Sequence, residues 1–256
     1  MKERFIRVPT ASGAMETFIT HPDRGGPFPA VIVYMDIWGV REELYDIARR
    51  VATVGYYCMV PDLYYRNGRV RHDYRDERGY TISTARLDEK RLAAVRASRD
   101  SLTDAMAVAD TGALLEFLGR GEPAHPGAMG CIGYCMGGRH VFRVAAAYPQ
   151  RFRASASLHG THLVTDQPDS PHLSAKKFQG QLYCGFGEKD AHAAAPVRQA
   201  LAEVMKGARV KYVNEFHLGA EHGYALPDRD VYHKQAANRD WELIFAMFRA
   251  QLPDVA

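Results

Sequence analysis

The stretch GAMGCIGYCMGG, residues 127–138, ends an apolar run on a cysteine set between glycines: Gly133, Cys135 and Gly137 spell G-x-C-x-G. That spacing suits a strand turning sharply into a helix with a nucleophile at the bend, because glycine lacks the Cβ that would clash there. A free thiol with a pKa near 8.5 is a poor nucleophile, and a helix N-terminus or a neighbouring imidazole favours its thiolate. A helix starting at Met136 would aim free backbone N–H groups at the Cys135 sulfur, and the Met136 N–H would serve as an oxyanion donor. Taken alone, the short pattern also fits a small buried thiol in a glycine turn.

A thiol nucleophile needs a base, and the base needs an acid to orient it. His222, in GAEHGYALP, is the candidate base among eleven histidines. Asp190, in GFGEKDAHAA, is the candidate acid, placed to hold the imidazole tautomer and stabilise the imidazolium. Asp190 also reads as a helix N-cap, and Asp169 in TDQPDSPHL competes for the role. The chain order Cys135, Asp190, His222 is that of nucleophile, acid and base in hydrolases built on an α/β sheet. A second oxyanion donor is expected in DIWGV, at the Ile37 N–H, where Gly39 permits a tight turn. Asp36 stands in the same loop. A carboxylate beside a thiol raises the thiol's pKa or is itself protonated, so Asp36 reads either as a control on thiolate formation or as a loop cap.

The elements that must position these groups follow from hydrophobic periodicity. ERFIRV and METFIT read as two edge strands joined around Ser12 and Gly13, and PAVIVYM as a strand buried on both faces. A helix from about Arg41 to Thr53, the strand YYCMVPDLYY, a helix carrying Ala105 to Leu118, the strand AMGCIGY and a helix from Met136 to Ala147 continue a β-α-β rhythm. SASLHG, QLYCGFG and VKYVNEFHL read as strands, APVRQALAEVMKG as a helix, and DWELIFAMFRAQL as a last helix with one apolar stripe. The alternation predicts an α/β fold, a doubly wound, mostly parallel sheet with helices on both faces. Ligands bind beyond the carboxyl ends of such strands, where Asp36, Ile37, Cys135, Asp190 and His222 all fall.

Composition bounds the rest. The 256 residues, 46% hydrophobic and 25% charged, are read as one domain over 1–256 with a small cap excursion around 64–90. A formal net charge of +3 with scattered basic residues gives no footprint for nucleic acid. The apolar runs are too short to cross a bilayer, and the N-terminus has no apolar signal region, so the expectation is a cytoplasmic protein with no membrane partner. Four cysteines, at 58, 131, 135 and 184, give neither a disulfide framework nor a zinc knuckle, and no metal or cofactor is expected. The segment YYRNGRVRHDYRDERGY carries five arginines and four tyrosines. It reads as a solvated excursion or as a cap offering aromatic walls and a cation to an anionic substrate.

With DIWGV, GYYCMVPDLYYR, GCIGYCMGG, CGFGEKDAHAA and AEHGYALP quoted, the chain resembles the dienelactone hydrolase family of α/β-hydrolases, from about Pro29 to the C-terminus. The resemblance implies a cysteine hydrolase in which Cys135, His222 and Asp190 open a small-molecule ester or lactone through an acyl-thiol intermediate without metal or cofactor. Two departures bear on the substrate. The family has Glu at the place of Asp36, where it pairs with the resting thiol, and substrate-gripping members have an arginine four residues after the histidine, where this chain has Leu226. Arg71, Arg75 or Arg78 would then replace that clamp, or the substrate is neutral. Trp38, Tyr224 and His159 are expected as pocket walls by position. Two rival readings are a non-catalytic scaffold that binds a ligand or senses oxidants through Cys135, and acyl transfer to an acceptor other than water.

Overall fold

The computed structural model describes residues 1–253. Eight strands, β1 (Lys2–Thr10), β2 (Gly13–His21), β3 (Ala30–Tyr34), β4 (Tyr57–Pro61), β5 (Met129–Tyr134), β6 (Phe152–Leu158), β7 (Gln181–Gly187) and β8 (Lys211–His217), form one sheet in the order β1-β2-β4-β3-β5-β6-β7-β8. β1 pairs antiparallel with β2 and β2 antiparallel with β4; every other neighbour is parallel. Every residue of β3, β4 and β5 is buried, as expected of central strands covered on both faces. β1 lies at one edge, largely exposed and carrying Lys2, Glu3, Arg4 and Arg7, charges that discourage further strand addition.

Helices α1 (Glu42–Ala52), α2 (Glu89–Asp100), α3 (Asp104–Leu118), α4 (Met136–Ala147), α5 (Ala195–Gly207) and α6 (Lys234–Gln251) fill the connections. They divide between the two faces, and two glycines of β5 show how. A Cβ on Gly130 would lie 3.0 Å from Phe248 of α6, whereas one on Gly133 would meet Gly137 of α4. Residues three apart on a strand face opposite sides, so α6 covers one face and α4 the other. α1 shares the α6 face, with Arg50 stacked 4.5 Å over the Trp241 ring. The chain runs outward from β3 to β4 and then returns to lay β5 on the other side of β3. This reversal opens a crevice at the carboxyl ends of β3 and β5.

The doubly wound reading of the sequence holds, with four adjustments. β2 is not an edge strand but lies between β1 and β4. The fourth strand stops at Pro61, because Asp62 Oδ1 accepts the Tyr64 N–H at 3.0 Å and turns the chain. α6 begins at Lys234, capped by His233, whose Nδ1 accepts the Ala236 N–H at 3.3 Å. The excursion expected over 64–90 runs on through α2, a helix the sequence reading did not assign.

α6 is tied to the sheet by a buried carboxylate. Asp240 accepts from Tyr183 of β7 at 2.5 Å, from His217 at the end of β8 at 2.7 Å and from Tyr224 at 2.7 Å. Removing it strands three buried donors. Asp240→Ala is expected to cost about 3–5 kcal/mol of stability, read as a lower urea midpoint at unchanged slope.

Candidate active site

Cys135 sits between β5 and α4 with φ 55° and ψ −114°, a left-handed backbone that non-glycine residues seldom adopt. Close backbone packing enforces it. A Cβ on Gly133 would approach the Gly137 carbonyl oxygen to 2.1 Å, and one on Gly137 would approach the Tyr34 carbonyl oxygen to 2.4 Å. Only glycine fits at either place. The Cys135 N–H donates to the Leu158 carbonyl at 3.0 Å, and its own carbonyl accepts from Gly138 N–H at 3.0 Å and Thr161 N–H at 3.2 Å. The sulfur is thereby presented at the N-terminus of α4.

His222, on the loop after β8, reaches the same point. Its Nδ1 donates to Asp190 Oδ2 at 2.7 Å, leaving Nε2 free in the cavity that the Cys135 sulfur also lines. Burial alone would lower the imidazole's pKa. The Cys135 sulfur and the Asp190 carboxylate outweigh it and push the pKa up to about 10. Asp190 follows β7, is buried, and also accepts the His192 N–H at 2.8 Å, so one carboxylate both caps that turn and holds the His222 ring. The rival Asp169 is exposed and pairs with Arg143 at 3.3 Å.

The loop after β3 supplies the opposite wall. Gly39, with φ +82°, donates its N–H to the Asp36 carbonyl at 3.2 Å, which turns the Asp36–Ile37 peptide so that the Ile37 N–H points away from the turn. Tyr64 Oη donates to the Ile37 carbonyl at 3.0 Å. Asp36 is not paired with the thiol. It is buried and held by Arg41, Nη1 at 2.8 Å to Oδ1 and Nη2 at 3.1 Å to Oδ2, with Arg229 Nη1 3.5 Å from Oδ2. Arg41 also bridges to Asp228.

These elements enclose a cavity of about 160 Å³. Of the residues expected there, Cys135, Met136, Ile37, Trp38 and His222 line it, and Asp190 stands behind His222. Four expected substrate contacts do not reach it. Asp36 is occupied by arginines, and Tyr224 is turned into the Asp240 network. His159 is fully buried, with its ring 5.0 Å from that of His222 in an edge-on stack. Arg78 is exposed and paired with Asp76 at 2.9 Å. Arg66, Arg71 and Arg75 are likewise paired with Asp110, Asp62 and Asp73, and none of them lines this cavity.

In their place the cavity has three arginines, Arg96, Arg99 and Arg229, and the histidines 162 and 192 besides His222; no described lining residue is a carboxylate. Arg96 and Arg99 come from α2. Arg229 follows the histidine loop in LPDRD, only three residues beyond the position where a clamp was sought. It is buried, stacks 5.2 Å over Trp38, and its Nε has no partner among the described residues. Burial, joined by neighbouring cations, pushes the pKa of both His162 and His192 down, so both are neutral near pH 7.

A family model described as the dienelactone hydrolase family matches residues 15–252. A relative from Synechocystis sp. named "Putative carboxymethylenebutenolidase" is 26% identical over 255 residues, covering 98% of each chain. Among solved structures, the "Putative Dienelactone Hydrolase" of Klebsiella pneumoniae superposes with a TM-score of 0.83 at 23% identity, covering 97% of this chain and 98% of that one. A dienelactone hydrolase-like promiscuous phosphotriesterase from metagenomic libraries gives 0.77 at 17% identity, covering 98% and 99%. The two structures share the fold.

The geometry fixes a pH dependence. A histidine whose folded pKa is raised stabilises the fold fully below its unfolded value of about 6.5 and loses that contribution as pH rises through the folded value. The stability gap between wild type and Asp190→Asn is therefore expected to be widest at about pH 5–6.5 and to close as pH rises through about 10. NMR titration of labelled His222 in the variant should show its pKa shifted toward the ordinary value; an unmoved pKa would contradict the pairing.

Proposed function

The chain belongs to the dienelactone hydrolase family, and from that premise we propose that it is a cysteine hydrolase whose substrate is a small ester or lactone with an anionic acyl part. One observation carries the reading: Cys135 and an imidazole held by a carboxylate meet at the edge of a cavity whose described lining includes three arginines and no carboxylate.

The chemistry follows from the groups present. The raised pKa of His222 favours an imidazolium in the resting site, and an adjacent imidazolium activates a thiol as nucleophile. The thiolate attacks the carbonyl carbon, and the Met136 and Ile37 N–H groups receive the developing oxyanion. His222 gives its proton to the departing oxygen, leaving an acyl-thiol. Water then loses a proton to His222 as it attacks the acyl carbon, and the thiolate leaves. Asp190 keeps His222 oriented through both halves. Arg229 supplies the anion clamp, its free Nε and its long 3.5 Å contact with Asp36 leaving donors for a substrate carboxylate. The four cysteines, none in a disulfide, suit a reducing compartment such as the cytoplasm.

Turnover of p-nitrophenyl acetate and of a dienelactone is the direct test. Cys135→Ala should lower kcat by about 10⁴-fold or more, and activity that survives it rejects the mechanism. Alkylation of Cys135 in a protein that turns over no ester would instead favour a thiol sensor. Arg229→Met should raise KM for p-nitrophenyl hydrogen succinate by about tenfold while leaving p-nitrophenyl acetate nearly unchanged; equal effects on both esters would remove the clamp from Arg229.

A further inference from the structure

Beside the cavity lies a second and larger chamber, of about 510 Å³, more open to solvent. Arg99, Met136, Thr161 and His162 belong to the walls of both. The two spaces therefore adjoin across the first residue of α4, next to the sulfur. We propose that this chamber binds the alcohol portion of an ester substrate and that this portion is rich in hydroxyl groups, an inference that rests on the thiol-ester reading above.

Order of departure argues for the alcohol. Attack by the Cys135 sulfur forms the S–C bond and breaks the ester C–O bond, and the leaving oxygen takes the His222 proton. The alcohol is then free while the acyl group stays on the sulfur. The first product to leave needs its own way out and must make room for water, whereas the acyl group must stay in place. The more open chamber suits the alcohol, and the enclosed cationic cavity suits the acyl group.

Charge argues for hydroxyls. Arg229 of the catalytic cavity keeps an unpartnered Nε, whereas the cations of the chamber are matched: Arg139 pairs with Asp104 at 2.7 Å, and Arg99, which both walls share, with Asp100 at 2.7 Å. Burial would raise the Asp104 carboxyl, yet His140, Arg139 and Arg143 hold it well below the usual carboxylate range. A charged group entering finds no uncompensated partner. A hydroxyl both donates and accepts, and so fits a wall of paired guanidiniums and carboxylates. His140, 1% exposed, lines the chamber with no hydrogen-bond partner at Nε2 among the described residues, a buried polar atom that a ligand hydroxyl would satisfy.

Ala105, exposed on the first turn of α3, lines the chamber but not the catalytic cavity, so Ala105→Trp narrows one space alone. Acetate esters of methanol, 3-pentanol and glycerol vary the alcohol at constant acyl group, the last two having equal numbers of heavy atoms. Wild type is expected to prefer glyceryl acetate over pentyl acetate by about tenfold or more in kcat/KM. Ala105→Trp should cut kcat/KM for glyceryl acetate about tenfold while methyl acetate stays within about twofold. A pentyl preference, equal rates for the two large esters, or a variant that affects methyl and glyceryl esters alike would overturn the proposal. Should the variant fail to fold, the wild-type comparison decides alone. Loss of all ester turnover in wild type, methyl acetate included, would mark failure of the thiol-ester reading and carry this inference down with it.

Discussion

The left-handed backbone at Cys135 is the constraint on which the site depends. A residue held there costs on the order of 1–3 kcal/mol and persists only when its surroundings over-determine it. Here β3, β5, β6 and α4 all contribute. Gly133 and Gly137 permit backbone contacts that any side chain would forbid, while Leu158, Gly138 and Thr161 fix the peptide groups on either side of the cysteine. The same bend does two jobs. It lifts the sulfur out of the sheet, and it sets the N-terminus of α4 at the edge of the cavity. Because these contacts are backbone to backbone, they cannot relax by a rotamer change, and the main chain that carries the sulfur is as firmly placed as the sheet itself.

Electrostatics then decides how that sulfur is held. A carboxylate beside the thiol would oppose its ionisation, but Asp36 is turned away into a chain of alternating charges, Arg229–Asp36–Arg41–Asp228. The sulfur is left facing His222 and a cavity wall of arginines. Each of these favours negative charge in the cavity. Asp36 serves the site indirectly: its carboxylate also accepts the Trp38 N–H at 3.1 Å, which stiffens the loop carrying the Ile37 N–H and places the indole beneath Arg229.

Much of this was legible in the sequence because the responsible elements are governed by short-range physics. Buried parallel strands are near-continuous apolar runs, and β3, β5 and β7 appeared where such runs ended on glycine, cysteine or aspartate. The triad candidates lay just past those ends, where the fold places ligands. What stayed hidden depends on tertiary contacts. α2, EKRLAAVRASRD, has a single buried residue, Val95, so its weak apolar periodicity gave no sign of a helix. Its Arg96 and Arg99 face a cavity rather than a core. The arginines of the 66–78 segment looked available in the sequence, but each of the four whose partners are visible in the structure meets an aspartate. His159 and Tyr224 were assigned to the pocket by proximity in sequence to the strand ends, and burial behind His222 put them one layer deeper.

Arg229 shows how a loop can bring a cation to a cavity from a shifted register. Four residues after His222 the side chain is Leu226, fully buried in the core, so an arginine there would have to be buried without water. The loop continues through Pro227 and Asp228 before Arg229 folds back beneath the histidine. Gly223 allows that return. Its φ is +98°, and an added Cβ would stand 3.3 Å from the Arg229 guanidinium carbon, tighter than ordinary contact. Thr81 secures the far side, its N–H donating to the Asp228 carbonyl at 2.7 Å and its carbonyl accepting from Asp230 at 3.2 Å. The cap excursion thus contributes to the cavity in two ways: α2 brings Arg96 and Arg99 directly, and Thr81 holds the loop that brings Arg229. A cation placed by such a closed set of contacts is pre-oriented for a carboxylate, which lowers the ordering cost that an exposed arginine on a free loop would meet on binding.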